Sequence, residues 1–463
     1  MAVGSVAQSE RLIHHPAMIE RIFRLSDHDT TIPREILAGI TTFLTMSYIL
    51  VVQPNVLSKD FSGNPTGLEP GAVLLATCVA SALATGAMGL YAKLPVALAP
   101  GMGQNFFFVS VMVAMSSQQF PGEPWQAALG IVFVSGVLFV ALTLLGVRDV
   151  IVDVMSSSMR SAIVVGIGLF IALIGLQNAN LVVNAPTLVA LNAPGLLSVD
   201  SAVFWAGFVT ILVLRIRGVP GSMLIGIAVA AITAWANGRI SIDRVFGWPE
   251  FSQSAALQLD FRAAFTFSGL SYVAVFLFMD IFDTTGTLIG VSQQAGLLKD
   301  GRLPRMREAM LADSAGTVVG ACLGTSTVTS YIESVAGVEQ GGRTGLTAVT
   351  VAILFLLAIG FSPLIVSLGG YAPITAPPLV FVGAMMFRSV QSIDWSDETE
   401  AVPAFLLILA IPLFFSIADG LALGLIVWPL LKFVRGRRAE VRTASVVIAA
   451  IIIVYFVTIR VYN

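Results

Sequence analysis

Long apolar runs follow one another along almost the whole chain, separated by short polar and charged stretches. An α-helix needs about 20 predominantly apolar residues to cross the hydrocarbon core of a bilayer, and most of these runs reach or approach that length. The pattern predicts fourteen membrane segments: 34–53, 71–91, 94–116, 125–146, 160–177, 201–215, 220–237, 267–297, 306–323, 324–342, 344–363, 373–391, 402–417 and 418–434. A further apolar run at 444–461 leaves open whether the chain crosses once more.

Composition supports a membrane protein. Only 11% of the 463 residues are charged and 56% are apolar, whereas a soluble domain carries about 25% charged residues. Lipid must therefore cover the surface. No basic stripe is present, which argues against a nucleic-acid partner. The two cysteines, Cys78 and Cys322, lie in apolar stretches and predict neither a disulfide framework nor a metal site. No cofactor is expected.

Positive charge predicts the orientation of the segments, because loops rich in Lys and Arg stay in the cytoplasm. Basic residues precede the first segment and follow segments 4, 6, 8 and 14, all of which end on one side: Arg34, Arg148, Arg160, Arg215, Arg217, Lys299, Arg302, Arg305, Arg307, Lys432, Arg435, Arg437 and Arg438. We expect a multi-pass protein of the cell's inner membrane, with a cytoplasmic N-terminal leader at 1–33.

Two predicted segments open with polar sequence where a membrane helix should be apolar. Segment 3 begins with Ala-Pro-Gly-Met-Gly-Gln-Asn at 99–105, and segment 10 with Gly-Thr-Ser-Thr-Val-Thr-Ser at 324–330. Segments 3 and 10 are seven segments apart. Because seven is an odd number, the two halves of the chain would be inverted relative to each other. Paired interrupted segments in inverted halves indicate a midplane substrate site in transporters. Glycine-mediated helix contacts are the alternative explanation.

Three carboxylates fall deep inside predicted segments, where ionisable side chains are costly and mark functional sites by default. Asp280 and Asp283, three residues apart, share one helical face, and Glu333 lies in the interrupted segment 10. No Lys or Arg lies near them within these segments. A buried carboxylate without a cationic partner tends to hold its proton. These groups can therefore exchange a proton or accept hydrogen bonds from ring N–H donors. For Asp283, capping of a new helix at Thr284 is an equal alternative.

Other polar residues receive more ordinary interpretations. Asp419 is predicted to be an N-cap between two short helices, and Asp313 to be structural. The amides of Gln104 and Asn105, with an aromatic face such as that of Phe106, suit a flat heterocycle carrying N–H and C=O groups. Packing against the core or lipid is the alternative for any single phenylalanine.

Four stretches resemble the guanine/hypoxanthine and adenine permeases, which form the azaguanine-sensitive branch of the nucleobase–cation symporter-2 superfamily. They are Ile32–Leu50, Ala97–Asn105, Phe282–Val291 and Gly324–Ser334. The resemblance extends from about residue 18 to residue 434. One departure concerns the residues after Gly103: the family usually has Leu-Asn-Ala-Tyr, whereas this chain has Gln-Asn-Phe-Phe. The departure leaves open which base is preferred.

The resemblance implies an all-α membrane fold of fourteen segments in two inverted repeats of seven. Short strands in segments 3 and 10 would meet at the midplane. Segments 1–4 and 8–11 would form a core domain, and segments 5–7 and 12–14 a gate domain. In this sequence the core domain would comprise 34–146 and 267–363, and the gate domain 160–237 and 373–434, with 444–461 as an extra apolar segment.

The resemblance also implies import of a purine nucleobase with a proton as coupling ion, by an elevator-like motion, in a homodimer. Family binding residues correspond to Asp280, Glu333 and Asn105, with backbone near Gly103 and Asp283 as a supporting carboxylate. Gln104, Phe106 and Ile332 complete the expected substrate contacts, and Thr284 the expected support for proton coupling.

Other functions stay open at this point. A membrane-embedded aspartyl protease is disfavoured, because the run Asp283-Thr-Thr-Gly has one Thr too many and no second motif exists. An anion exchanger or channel on the same fold should present positive charge or bare helix N-termini to its ligand. A uracil, xanthine or ascorbate permease is also possible, because fold alone does not fix the ligand. Sodium is the alternative to the proton.

Overall fold

The computed structural model describes residues 18–118, 120–146, 155–185, 188–298 and 303–442, with a few positions after 444. The helices are α1 (Met18–Phe23), α2 (Ile32–Met46), α3 (Tyr48–Ser58), α4 (Pro70–Ala87), α5 (Met102–Ser117), α6 (Pro124–Leu145), α7 (Ser157–Asn178), α8 (Val199–Ile216), α9 (Ser222–Ala236), α10 (Phe267–Gln294), α11 (Met306–Leu323), α12 (Ser334–Glu339), α13 (Gly345–Ala358), α14 (Ser362–Gly369), α15 (Ala372–Phe387), α16 (Glu398–Phe414) and α17 (Ile417–Val434). The strands are β1 (Leu98–Pro100), β2 (Val182–Ala185), β3 (Leu188–Leu191) and β4 (Val328–Ser330).

The predicted helical membrane fold is confirmed. Seven helical stretches of the described chain are long and apolar enough to cross a bilayer. Segments 3 and 10 are each a short strand followed by a helix, β1 with α5 and β4 with α12. The expected strand pieces are therefore present. The run at 444–461 falls almost wholly outside the described residues.

Strands β1 and β4 pair antiparallel and join the two halves of the chain. Leu98 lies opposite Ser330 and Pro100 opposite Val328. The Gly101 N–H donates to the Thr327 carbonyl at 3.1 Å and the Tyr331 N–H to the Ala97 carbonyl at 2.9 Å, which extends the ladder at both ends. Inside a bilayer, backbone groups outside a helix must be satisfied within the protein. The pairing meets that requirement and lets two helices begin at the same depth.

The helices pack in two groups. The first packing group contains α2, α4, α6, α10, α11 and α13, with α3 and α5 against it. The second packing group contains α7, α8, α9, α15, α16 and α17. The β1–β4 pair belongs to the first group, and the interface between the groups runs past the starts of α5 and α12.

Helix α13 is capped by a side chain from the other half of the chain. Glu35 of α2 is fully buried. Its Oε1 accepts the N–H of Arg343 at 2.9 Å, and its Oε2 accepts the Thr347 N–H at 3.2 Å and the Thr347 hydroxyl at 2.6 Å. The carboxylate thus satisfies N–H groups that a helix N-terminus leaves without internal partners. Its negative charge also lies at the favourable end of the helix dipole.

We expect Glu35→Gln to lower the free energy of unfolding by about 2 kcal/mol or more, because an NH2 group would replace one of the two accepting oxygens and cannot accept the buried N–H donors that face it. The measurement is the thermal unfolding midpoint of the purified protein in detergent. Glu339→Gln, at an exposed position in α12, is the matched control. An unchanged midpoint in Glu35→Gln would show that the cap contributes nothing.

Candidate functional site

A cavity of about 500 Å³ lies between the two packing groups. The first group contributes the start of α5, the middle of α10 and the chain from β4 to α12; the second contributes α7 and the end of α15. The charged residues among those lining the cavity are Asp283, Glu333, Arg160 and Arg388.

The two aspartates of α10 differ in exposure and are linked by one amide. Asp280 is fully buried, whereas the side chain of Asp283 is exposed to the cavity. The Gln104 Nε2 lies 3.4 Å from Asp280 Oδ1 and 3.2 Å from Asp283 Oδ2, so it donates to both. Asp280 Oδ2 has no hydrogen-bond partner within the described part of the chain. Gln104 thus connects the cavity wall with a buried carboxylate behind it.

Asp283 does not cap a new helix. Helix α10 runs without interruption from Phe267 to Gln294, and Asp283 lies well inside it. The capping alternative is therefore excluded. The N-cap prediction for Asp419 is also wrong: Ser416 is the N-cap of α17, and its hydroxyl accepts the Asp419 N–H at 3.2 Å. Asp419 lies in the first helical turn, a favourable place for a negative charge.

Glu333 lies on the cavity wall immediately before α12. The Tyr48 hydroxyl of α3 donates to Glu333 Oε1 at 3.0 Å. The neighbouring Tyr331 hydroxyl donates to the Pro100 carbonyl at 2.5 Å, which fixes the chain entering the helix. Sequence reasoning missed Tyr48, although it lies within the stretch that resembles the opening span of the permeases.

A second fully buried carboxylate near the site lies behind β4. Asp313 of α11 is fully buried, and its Oδ2 accepts the Ser330 hydroxyl at 2.8 Å. Thr329 is next to Ser330 in β4, and its hydroxyl lies 3.1 Å from the hydroxyl of Thr284. Asp313 is therefore separated from the cavity by one strand. The sequence did contain a signal for Asp313, namely an ionisable residue within an apolar segment. Because Asp313 is near the start of that segment, it was interpreted as structural.

Not every predicted site residue lines the cavity. Gly103 and Ile332 do. Asn105 is fully buried, and its Oδ1 accepts a hydrogen bond from the Ser326 hydroxyl. Phe106 packs edge-on against Phe170, with ring centroids 6.2 Å apart. In this structure neither side chain reaches the cavity.

The aromatic faces at the cavity come from α10 instead. The rings of Phe278 and Phe282 are stacked, with centroids 6.1 Å apart and planes at 9°, and both line the cavity. The Arg160 guanidinium of α7 lies over the Phe282 ring, with Cζ 5.7 Å from the ring centroid. Phe278 and Phe282 are four residues apart and therefore share one face of the helix that carries Asp280. This spacing was a signal that sequence reasoning did not use.

Gly103 allows the two packing groups to meet beside the site. A Cβ atom at this position would lie 2.9 Å from Ile167 Cγ2 of α7, closer than real Cβ contacts. The first N–H groups of a helix have no internal acceptors, and both Met102 and Gly103 of the first turn of α5 line the cavity. The wall thus offers N–H donors beside carboxylate acceptors and aromatic faces, which suits a flat polar heterocycle. Within the described residues, no group of His, Cys, Asp and Glu is placed to hold a metal ion.

Comparison with solved structures shows the fold. The transmembrane domain of the cyanobacterial bicarbonate transporter BicA matches with a TM-score of 0.62 at 16% identity, covering 84% of this chain and 96% of that one. The anion transporter family member SLC26A9 matches with a TM-score of 0.63 at 10% identity, covering 91% and 69%. At such identities the likeness concerns the fold alone.

Comparison with sequences shows the family. The Xan_ur_permease model, which describes a permease family, matches residues 33–423. A guanine/hypoxanthine permease of Bacillus subtilis, PbuO, is 41% identical over 436 residues, which cover 92% of this chain and 98% of the relative. An adenine permease of Escherichia coli, AdeP, is 39% identical over 442 residues, with 95% and 96% covered. The chain therefore belongs to the nucleobase–cation symporter-2 permease family and is a membrane transporter, not an enzyme.

Proposed function

We propose that this protein imports purine nucleobases, namely hypoxanthine, guanine or adenine, together with protons. The observation that supports this most is the meeting of Asp283 and Glu333 with the start of α5 in one cavity. The relatives named for guanine, hypoxanthine and adenine transport support the substrate class.

The cavity wall matches the edge of a purine. The carboxylates of Asp283 and Glu333 accept hydrogen bonds from ring N–H groups. The first-turn N–H groups of α5 near Gly103 donate to carbonyl oxygens or ring nitrogens. Phe278 and Phe282 offer apolar faces against which a planar base can pack. In this arrangement Gln104 positions the aspartates, because its amide N–H groups already donate to Asp280 and Asp283.

Proton coupling is supported by the buried carboxylates next to the site. Burial disfavours the charged form of a carboxyl group unless a cation or several donors stabilise it. Asp280 is connected to the base site through Gln104, so its protonation can change the hydrogen bonding of Asp283. Binding of the base and of the proton would then favour each other.

The division into two packing groups supports an elevator-like motion. In the proposal, the first group is the core domain that carries the base, and the second is the gate domain against which it moves. The protein is proposed to act as a homodimer in the inner membrane, with its N-terminus in the cytoplasm, as the distribution of basic residues predicts.

The test is uptake of labelled hypoxanthine into membrane vesicles that contain the protein, with and without a protonophore. Adenine, guanine, xanthine and uracil serve as competitors. We expect purines to compete and the protonophore to abolish accumulation. Sodium-dependent, protonophore-resistant uptake would refute proton coupling but retain the substrate class. Uptake competed only by xanthine would refute the assignment to hypoxanthine, guanine and adenine but retain a purine substrate. Uptake competed only by uracil, or no uptake of any base, would refute the purine assignment.

The anion alternative receives less support from the site. An anion site at the starts of α5 and α12 should present positive charge or bare helix N-termini. The start of α5 does line the cavity, but the carboxylates of Asp283 and Glu333 lie beside it and would repel an anion. The likeness to bicarbonate and SLC26 transporters is a likeness of fold, which does not fix the ligand.

A further inference from the structure

The cavity has a second charged end. Asp283 and Glu333 lie on the wall formed by α10 and the chain before α12, whereas Arg160 of α7 and Arg388, directly after α15, line the wall formed by the second packing group. The proposed function uses the two carboxylates but not the two guanidinium groups.

The two arginines lie at the same end of the molecule because α7 and α15 pack antiparallel. Gly175 approaches the Ala376 carbonyl, and seven residues earlier Gly168 approaches the Gly383 carbonyl. Past the end of α15, the Asp394 N–H donates to the Ser158 hydroxyl at 3.1 Å. This is the end of the bundle that the distribution of basic residues predicts to be cytoplasmic.

Arg160 is close to the base site, while Arg388 extends toward solvent. The Arg160 Cζ lies 5.7 Å from the centroid of Phe282, the residue next to Asp283. Arg388 is exposed, and no carboxylate of the described residues lies within salt-bridge distance of it. Both cations therefore line the same cavity, with Arg160 beside the base site and Arg388 exposed to solvent.

The cavity is also larger than a bare base requires. Its volume of about 500 Å³ falls in the range of roughly 300–1,000 Å³ typical of sites for drug-sized ligands. A purine base has only ten or so non-hydrogen atoms, so the part of the cavity near the arginines stays open when a base lies against Asp283 and Glu333.

We propose that the arginine end binds the phosphate of a purine nucleoside monophosphate whose base occupies the base site. This inference rests on the proposed function. Guanidinium groups bind phosphate with paired, charge-assisted hydrogen bonds. The ribose separates the phosphate from Asp283 and Glu333, which would otherwise repel it. The nucleotide enters from the cytoplasmic end and occupies the cavity. It therefore inhibits transport of the base and is not itself transported.

The experiment measures competition for a bound base by the purified full-length protein. Labelled hypoxanthine or adenine, whichever binds, is displaced by the matching nucleoside monophosphate, the nucleoside, ribose 5-phosphate or inorganic phosphate. We expect the monophosphate to compete about tenfold to a hundredfold better than the nucleoside, as charge-assisted hydrogen bonds to phosphate allow. Arg388→Gln should remove most of this advantage while leaving base affinity unchanged.

Arg217→Gln is the matched control, because Arg217 is an exposed arginine at the end of α8 that does not line the cavity. It should leave the nucleotide advantage intact. Equal competition by nucleotide and nucleoside would overturn the proposal. The proposal would also be overturned if the nucleotide kept its advantage over the nucleoside in both Arg388→Gln and Arg160→Gln.

Two further results distinguish a nucleotide site from a general anion site, and failure of this inference from failure of the proposed function. Competition by inorganic phosphate as strong as that by the nucleotide would indicate a general anion site, such as one for a lipid headgroup, and would overturn the nucleotide assignment. Failure of the wild-type protein to bind any base would refute the proposed function, whereas base binding without a nucleotide advantage would refute this inference alone.

Discussion

Glu333→Gln is expected to reduce purine uptake to the level of cells that lack the transporter. The substitution keeps the size of the side chain but replaces one of the two acceptor oxygens at the cavity wall with an NH2 donor. A carboxylate that accepts a hydrogen bond from a ring N–H group contributes about 1.5–3 kcal/mol, and the amide nitrogen would face that group instead. The Tyr48 hydroxyl, which donates to Glu333 Oε1 at 3.0 Å, would lose a charged partner as well.

The measurement is initial uptake of labelled base at several concentrations, normalised to the amount of protein in the membrane. Glu339→Gln, six residues later and exposed, should transport normally. Tyr48→Phe should fall between the two, because it removes the donor to Glu333 and keeps the carboxylate. Wild-type uptake by Glu333→Gln would remove this residue from the mechanism.

Asp280→Asn is expected to abolish accumulation of base against its gradient while leaving base exchange across the membrane measurable. Asp280 is fully buried behind the cavity wall and reaches the site only through Gln104. Since an asparagine cannot bind and release a proton, the coupling step would be lost. Asparagine can still accept the hydrogen bond from the Gln104 amide, so the arrangement of the base site should persist.

Two assays on the same vesicles separate coupling from binding. Steady-state accumulation under an imposed proton gradient should fall at least tenfold, and exchange of labelled for unlabelled base at equal concentrations should continue with a similar KM. Asp243→Asn, in the exposed stretch between α9 and α10, is the control. Undiminished accumulation by Asp280→Asn would exclude Asp280 as the coupling carboxylate, and loss of exchange with a raised KM would assign it to base binding.

The helices and the position of the site were predictable from the sequence because their signals are local. An apolar run long enough to span a bilayer can bury its backbone polar groups only by forming a helix. The polar residues at 99–105 and 324–330 interrupt such runs, and they mark where β1 and β4 form. The cost of placing Asp280, Asp283 and Glu333 in apolar segments likewise depends on their own surroundings in the chain.

The identity of the side chains that meet at the cavity was less predictable. Gln104 bridges two aspartates that lie 176 and 179 residues away in the chain. Phe106 was expected at the base, yet the rotation of α5 directs it towards Phe170, while Phe278 and Phe282 of α10 line the cavity. A run of consecutive phenylalanines gives no indication of which one faces a ligand.

The sequence by itself determined a polytopic helical protein with two interrupted segments and a set of carboxylates within apolar segments, because chain length, hydropathy and the cost of desolvation act within each segment. Only the tertiary structure decided that Asp313 lies one strand behind the cavity, that Tyr48 contacts Glu333, and that Arg160 and Arg388 share the cavity with the carboxylates. These relations depend on how each helix is rotated and packed against segments far away in the chain, and no local pattern of residues specifies that rotation.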